Sequence, residues 1–154
     1  MNSNFENSKP QLNTDIINSL ESYFLIKIPQ SYLDFLIKIN GGHAVKNIFL
    51  FPNNNGFITH HWYGVRAEKY FSLLSQMYDK GKRYPNNFIA ICDDTSGNKI
   101  LLSISGDDYG KIYFWDHEME FDQGVEPDYS NLTLVADSFE EFINNLKSED
   151  ELDE

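Results

Sequence analysis

Residues Phe88–Trp115 read FIAICDDTSGNKILLSISGDDYGKIYFW, and this run decides the fold. It holds three apolar segments rich in β-branched and aromatic residues: Phe88–Cys92, Lys99–Ile104 and Lys111–Trp115. Between them lie Asp94-Thr95-Ser96-Gly97-Asn98 and Ser105-Gly106-Asp107-Asp108-Tyr109-Gly110, both turn-forming and both carrying glycine. Segments this short, joined by links this short, read as neighbouring antiparallel strands. Downstream, a longer loop through Pro127 leads to a fourth strand, Leu132–Ala136. Ser138-Phe139-Glu140-Glu141 then has the spacing of a helix capping box, with Phe139, Phe142, Ile143 and Leu146 as the buried stripe.

Upstream the period changes to that of helices. Asn13 or Thr14 can cap a helix whose apolar positions are Ile16, Ile17, Leu20, Tyr23 and Phe24. Pro29 suits a first helical position, where its missing N–H costs nothing. The helix after it carries Tyr32, Leu33, Phe35, Leu36, Ile37 and Ile39, and Asn40-Gly41-Gly42 stops it. Val45–Phe51 reads as a strand, closed by Pro52 and the turn Asn53–Gly56. An irregular stretch with His60, His61 and Trp62 follows. A third helix is expected with Ala67, Tyr70, Phe71, Leu74, Met77 and Tyr78 on one face, ended by Gly81 and Pro85. Helices early, strands late and a closing helix give an α+β class: a single domain with helices packed on an antiparallel sheet. The expected core spans residues 14–147, with a flexible arm at 1–12 and a solvated acidic tail at 148–154.

A chain of 154 residues with 41% hydrophobic content can bury a core without staples. Its lone cysteine, Cys92, excludes an internal disulfide and fits a reducing compartment. The polar N-terminus lacks the basic start and apolar run of a signal peptide, and no apolar stretch has membrane-spanning length. The expectation is a cytoplasmic protein. Net charge is −12, unevenly spread: residues 1–90 are net +3, 91–128 are net −8 and 129–154 are net −7. An acidic middle segment would repel nucleic acid and attract a basic protein.

No residue pattern points to catalysis or to a cofactor. His60 and His61 are adjacent, so on a strand they face opposite sides and cannot easily share a metal; His43 and His117 are distant in sequence. Cys92 ends an apolar strand before Asp93-Asp94, whose charge disfavours a thiolate, so it reads as core. Asp93-Asp94 and Asp107-Asp108 fall in turns, which acids commonly stabilise, and neither follows the calcium-loop pattern. Gly41-Gly42 ends a helix, whereas phosphate cradles begin one. Trp115 has two readings, core or interface anchor. The acidic segment also has two, a solvated face or a recognition surface.

Several pieces resemble the SUKH superfamily. The first is Glu21 with Ile28-Pro29-Gln30-Ser31-Tyr32-Leu33-Asp34-Phe35-Leu36 and Asn40-Gly41-Gly42. Phe88-Ile89-Ala90-Ile91 with Gly97-Asn98, Gly110–Glu118 and Ala136–Phe142 are similar to the family's later hairpin, its glycine to tryptophan-aspartate strand and its closing helix. The match covers residues 14–147 and leaves Phe57–Val65 unaligned. The resemblance implies an α+β fold and no catalytic residues. It also implies kinship with a yeast regulator of cell-wall glucan synthesis and with bacterial immunity proteins against secreted polymorphic toxins, many of them nucleases. The expected function is therefore neutralisation of a cognate toxin through an acidic surface; a non-enzymatic regulatory scaffold is the alternative. The expected partner is a protein, not nucleic acid or a membrane. Its expected contacts are Asp93, Asp94, Asp107, Asp108, Glu118, Glu120 and Asp122, with Tyr109 and Trp115 as aromatic anchors.

Overall fold

The computed structural model describes residues 4–10 and 12–152. The sheet is six-stranded and antiparallel: β3 (Ile48–Leu50), β4 (Gly56–Trp62), β5 (Phe88–Asp94), β6 (Lys99–Ser103), β7 (Ile112–Trp115) and β8 (Leu132–Ala136), in that spatial order, with the four late strands of the sequence reading as β5–β8. Strands adjacent in sequence are adjacent in space, even where residues 63–87 and 116–131 separate β4 from β5 and β7 from β8. In β5, Phe88, Ile89 and Ala90 are all buried; because successive side chains point to opposite faces, both faces of this strand are covered. The domain is α+β, with helices against a curled sheet.

Helix α1 (Thr14–Phe24) starts at Asn13, whose side chain accepts from the Asp15 N–H at 2.8 Å, and ends at Leu25 in the left-handed conformation. Helix α2 (Gln30–Lys38) follows Pro29. Glu21 of α1 accepts the backbone N–H of Ile28 at 2.7 Å, so a carboxylate fixes the corner between the two helices. Helix α4 (Phe139–Asn144) packs on α2, with the rings of Phe35 and Phe139 5.2 Å apart. Ser138 caps α4 by accepting from the Glu141 N–H at 3.1 Å. Trp62 of β4 sits beneath both helices, its ring 5.7 Å from Phe35 and 6.1 Å from Phe139.

The Asn40-Gly41-Gly42 stop is also a clamp. Buried Asn40 donates to the Val65 carbonyl at 3.1 Å and accepts from the Val65 N–H at 2.7 Å. Gly41, at φ +85°, lies so close to the Trp62 carbonyl that a Cβ would fall 2.5 Å from it. Only glycine meets both demands.

Three local expectations need correction. Phe57–Val65 is not irregular; most of it is β4, between β3 and β5. Of the strand expected at Val45–Phe51 only Ile48–Leu50 forms one, β3, and a separate two-residue strand, β2 (His43–Ala44), precedes it. The third helix is shorter. Lys69–Phe71 make a 3-10 turn, Ser72 caps α3 (Leu73–Asp79), and Leu73 and Met77 are the buried pair while Tyr70, Leu74 and Tyr78 are exposed. Ser72 interrupts the helix because its extended backbone frees its hydroxyl to accept from the Ser75 N–H at 3.1 Å. In the N-terminal arm, Phe5–Glu6 form β1 and pair with β2; buried Phe5 lies 5.3 Å from the rings of both Phe35 and Trp62. Burying one phenylalanine stabilises by roughly 2 kcal/mol, enough to hold so short a strand. Residues 1–3 and 11 of that arm lie outside the described residues. In the tail, Glu149–Leu152 form a short helix, α5, anchored by Glu151 on Lys46 at 3.2 Å, and 153–154 lie outside the described residues.

Candidate interaction surface and histidine cluster

The carboxylates expected to contact a partner do not form one surface. β6 begins after the Asp94–Asn98 turn and ends before the Ser105–Gly110 turn, so the two acidic pairs sit at opposite ends of the sheet. Five residues of strand separate them, about 17 Å at the usual rise.

Their environments differ as well. Asp94 is buried and accepts from the N–H groups of Ser96 and Asn98 at 2.9 and 2.8 Å and from the Asn98 side chain at 2.9 Å. It holds the β5–β6 turn. Asp108 accepts from the hydroxyls of Ser103, Tyr113 and Tyr129 at 2.7, 3.1 and 2.6 Å. Burial alone would raise its pKa, but these hydroxyls outweigh that and lower it. Trp115 is fully enclosed, with the Arg83 guanidinium 4.8 Å over its ring, and presents nothing to the surface. Tyr109 keeps an exposed ring while its hydroxyl donates to the Lys27 carbonyl at 2.9 Å.

Asp107, Glu118, Glu120 and Asp122 are exposed. Glu120 pairs with Arg83 at 2.6 Å; among the described residues no ion pair reaches Asp107, Glu118 or Asp122. Glu118 and its neighbours lie beside the β5–β6 turn, because Asn98 accepts the His117 N–H at 3.0 Å. The 116–131 loop thus leaves the sheet from this end, with Glu118 and Asp122 exposed, and folds back until Tyr129 meets Asp108 at the other.

Asp93 belongs to a different arrangement. β4 and β5 pair at Thr59 with Asp94 and at Trp62 with Cys92, which leaves His60 and His61 together opposite Asp93. Two residues facing one is a β-bulge, and it turns both side chains the same way. The imidazole centroids are 3.9 Å apart. This corrects the expectation that neighbouring histidines would point to opposite faces, which holds only for an unbroken pleat. His43, on β2, completes the group from the other side, 5.5 Å from the His60 ring and 5.7 Å from that of His61. Its Nδ1 lies 3.0 Å from the His60 carbonyl, which can only accept, so this nitrogen carries the proton. Asp93 accepts from the His61 N–H at 2.8 Å and the Tyr63 hydroxyl at 3.0 Å, and its carboxylate stands 3.2 Å from His61 Nδ1. Lys99 donates to the Tyr63 hydroxyl at 3.2 Å. Burial, and then the neighbouring His61, lower the pKa of His60. Sequence reasoning missed the cluster, although Phe57 and Trp62 carried a signal. Five residues apart, both are apolar and both touch Phe142, which an unbroken strand cannot arrange.

Cys92 is fully buried, and burial, then Asp93 and Asp94, push its thiol well above the usual range. That suits a packing residue and not a nucleophile. A groove of about 310 Å³ between β1, α2 and α4 is lined by Phe5, Phe35, Ile39, Phe139 and Ile143, with Asp34, Lys38 and Glu140 at its polar margin. No helix among the described residues is long and apolar enough to cross a membrane.

These features define a small α+β domain with a carboxylate-rich loop surface and a buried, unreactive thiol. The chain belongs to the SMI1 / KNR4 family (SUKH-1), whose model matches residues 11–145. It is also similar to the SPbeta prophage-derived uncharacterized protein YokK of Bacillus subtilis (strain 168). The two are 30% identical over 159 aligned positions, covering 91% of this chain and 78% of that protein.

Proposed function

We propose that this protein is a bacterial immunity protein that acts in the cytoplasm, without catalysis, by binding a cognate polymorphic toxin and blocking its active site or substrate channel. Family membership and likeness to a prophage-derived protein support the reading. The observation that carries it is the exposed carboxylate set of the 116–131 loop, set within a segment of net charge −8. Such a set steers a basic protein toward its binding pose and stands in for the phosphates that a nuclease grips. Glu118, Glu120 and Asp122 are the proposed contacts at this end, with Asp107 and the exposed ring of Tyr109 as a second patch at the other. Asp93, Asp94, Asp108 and Trp115 support the surface from within.

The test is association kinetics with the product of the adjacent upstream gene. Reversing Glu118 and Asp122 to lysine should slow association about tenfold or more at low salt and flatten its salt dependence. Unchanged kinetics would remove this loop from the interface. If the protein captures only housekeeping proteins, the regulatory-scaffold reading takes its place.

A further inference from the structure

We propose that His60, His61 and Asp93 form a binding site for a divalent transition-metal ion of borderline softness, best met by zinc. A nitrogen from each histidine and an oxygen from Asp93 lie within 4.8 Å of one another. This is close enough for small side-chain rotations to bring all three onto one ion. Two ligands held 2.0–2.1 Å from a tetrahedral zinc stand roughly 3.4 Å apart. His61 Nδ1 and the nearer Asp93 oxygen are 3.2 Å apart.

The ligands stand on rigid scaffolding. The bulge that brings His60 and His61 to the same side is flanked by ladder pairs on both ends, Thr59 with Asp94 and Trp62 with Cys92. Bulges recur where a sheet must re-aim a side chain. The carboxylate is oriented by partners that leave it room to bind: the His61 N–H on one oxygen and the Tyr63 hydroxyl on the other. Hydrogen-bonded carboxylates of this kind typify the surroundings of metal ligands. His43 stands beside the cluster, its Nδ1 donating to the His60 carbonyl at 3.0 Å and its ring 5.5 Å from that of His60.

The donor set selects the ion. Two imidazoles and one carboxylate suit zinc and its neighbours; magnesium and calcium call for a shell of oxygens, and copper(I) for thiolate or thioether sulfur. Three protein ligands leave a coordination position open on the solvent side, where His60 is exposed. An ion here would pin β4 to β5 across the bulge.

The test is calorimetric titration of the full chain, stripped with EDTA, with zinc chloride. One saturable zinc site per chain is expected, with magnesium and calcium giving no comparable heat. His60→Ala removes an exposed ligand and leaves the core intact, and His61→Gln removes the second; each should weaken zinc binding at least about tenfold. His117→Ala, outside the cluster, should bind as the parent does. Zinc should raise the melting temperature of the parent and not that of His60→Ala. Absence of saturable binding, or unchanged affinity in both His60→Ala and His61→Gln, would overturn the proposal, and circular dichroism of each variant separates loss of the site from loss of the fold.

Discussion

Replacing Asp108 with alanine removes the acceptor at the centre of the β6–β7 turn. Three hydroxyls, from Ser103, Tyr113 and Tyr129, then lose a charged partner. A hydrogen bond to a charged group contributes about 1.5–3 kcal/mol, and the two shortest here would give about 3 kcal/mol if fully enclosed. Asp108 is only partly buried, so water replaces some of what is lost, and a cost of about 2 kcal/mol is expected. For a domain of this size that is a melting-temperature fall of roughly 4–8 °C. The pH dependence has a definite sign. The folded-state pKa of Asp108 lies below the ordinary 3.8, so its contribution is fully present above that value and is lost as pH falls through the folded pKa. Thermal melts of parent and Asp108→Ala should therefore differ by the full amount at pH 7 and converge below about pH 3.8. Melting temperatures within 1 °C of each other at pH 7, or a gap that widens in acid, would refute the assignment of Asp108 as a structural hub.

Two further substitutions test the packing account. Leu25 ends α1 with φ 56° while 90% exposed, so glycine there should relieve backbone strain at little cost in contacts and stabilise by about 0.5–1 kcal/mol, read as a higher urea midpoint. Tyr32 is fully buried and its hydroxyl has no hydrogen-bond partner among the described residues; Tyr32→Phe should be neutral or raise stability by about 1 kcal/mol, and a clear loss in the same assay would show that the hydroxyl is satisfied.

The parts of the fold legible in the sequence were those written in local signals. The β5–β7 run announces itself through alternating apolar segments and glycine turns, and Ser138 through its cap spacing. Glu21, in the resemblance only an acidic position, is physically the acceptor for the Ile28 N–H. What stayed hidden depends on distant partners. β1 is a strand only because β2 lies beside it and Phe5 finds Phe35 and Trp62. The histidine cluster exists only through a one-residue register shift, which no local propensity encodes. The acidic segment was visible as charge, but which carboxylates are free was not. Asp93, Asp94 and Asp108 look like Glu118 and Asp122 in sequence, and only the placement of Tyr63, Asn98 and Tyr129 gives them structural duties.

Neutralisation of a toxin by this protein is tested most directly by a growth assay. The adjacent upstream gene is induced in a host cell alone and together with this protein. Growth should stop in the first case and be restored in the second, with restoration weakened by lysine at Glu118 and Asp122. A harmless neighbour, or killing that continues undiminished in the presence of this protein, would contradict it.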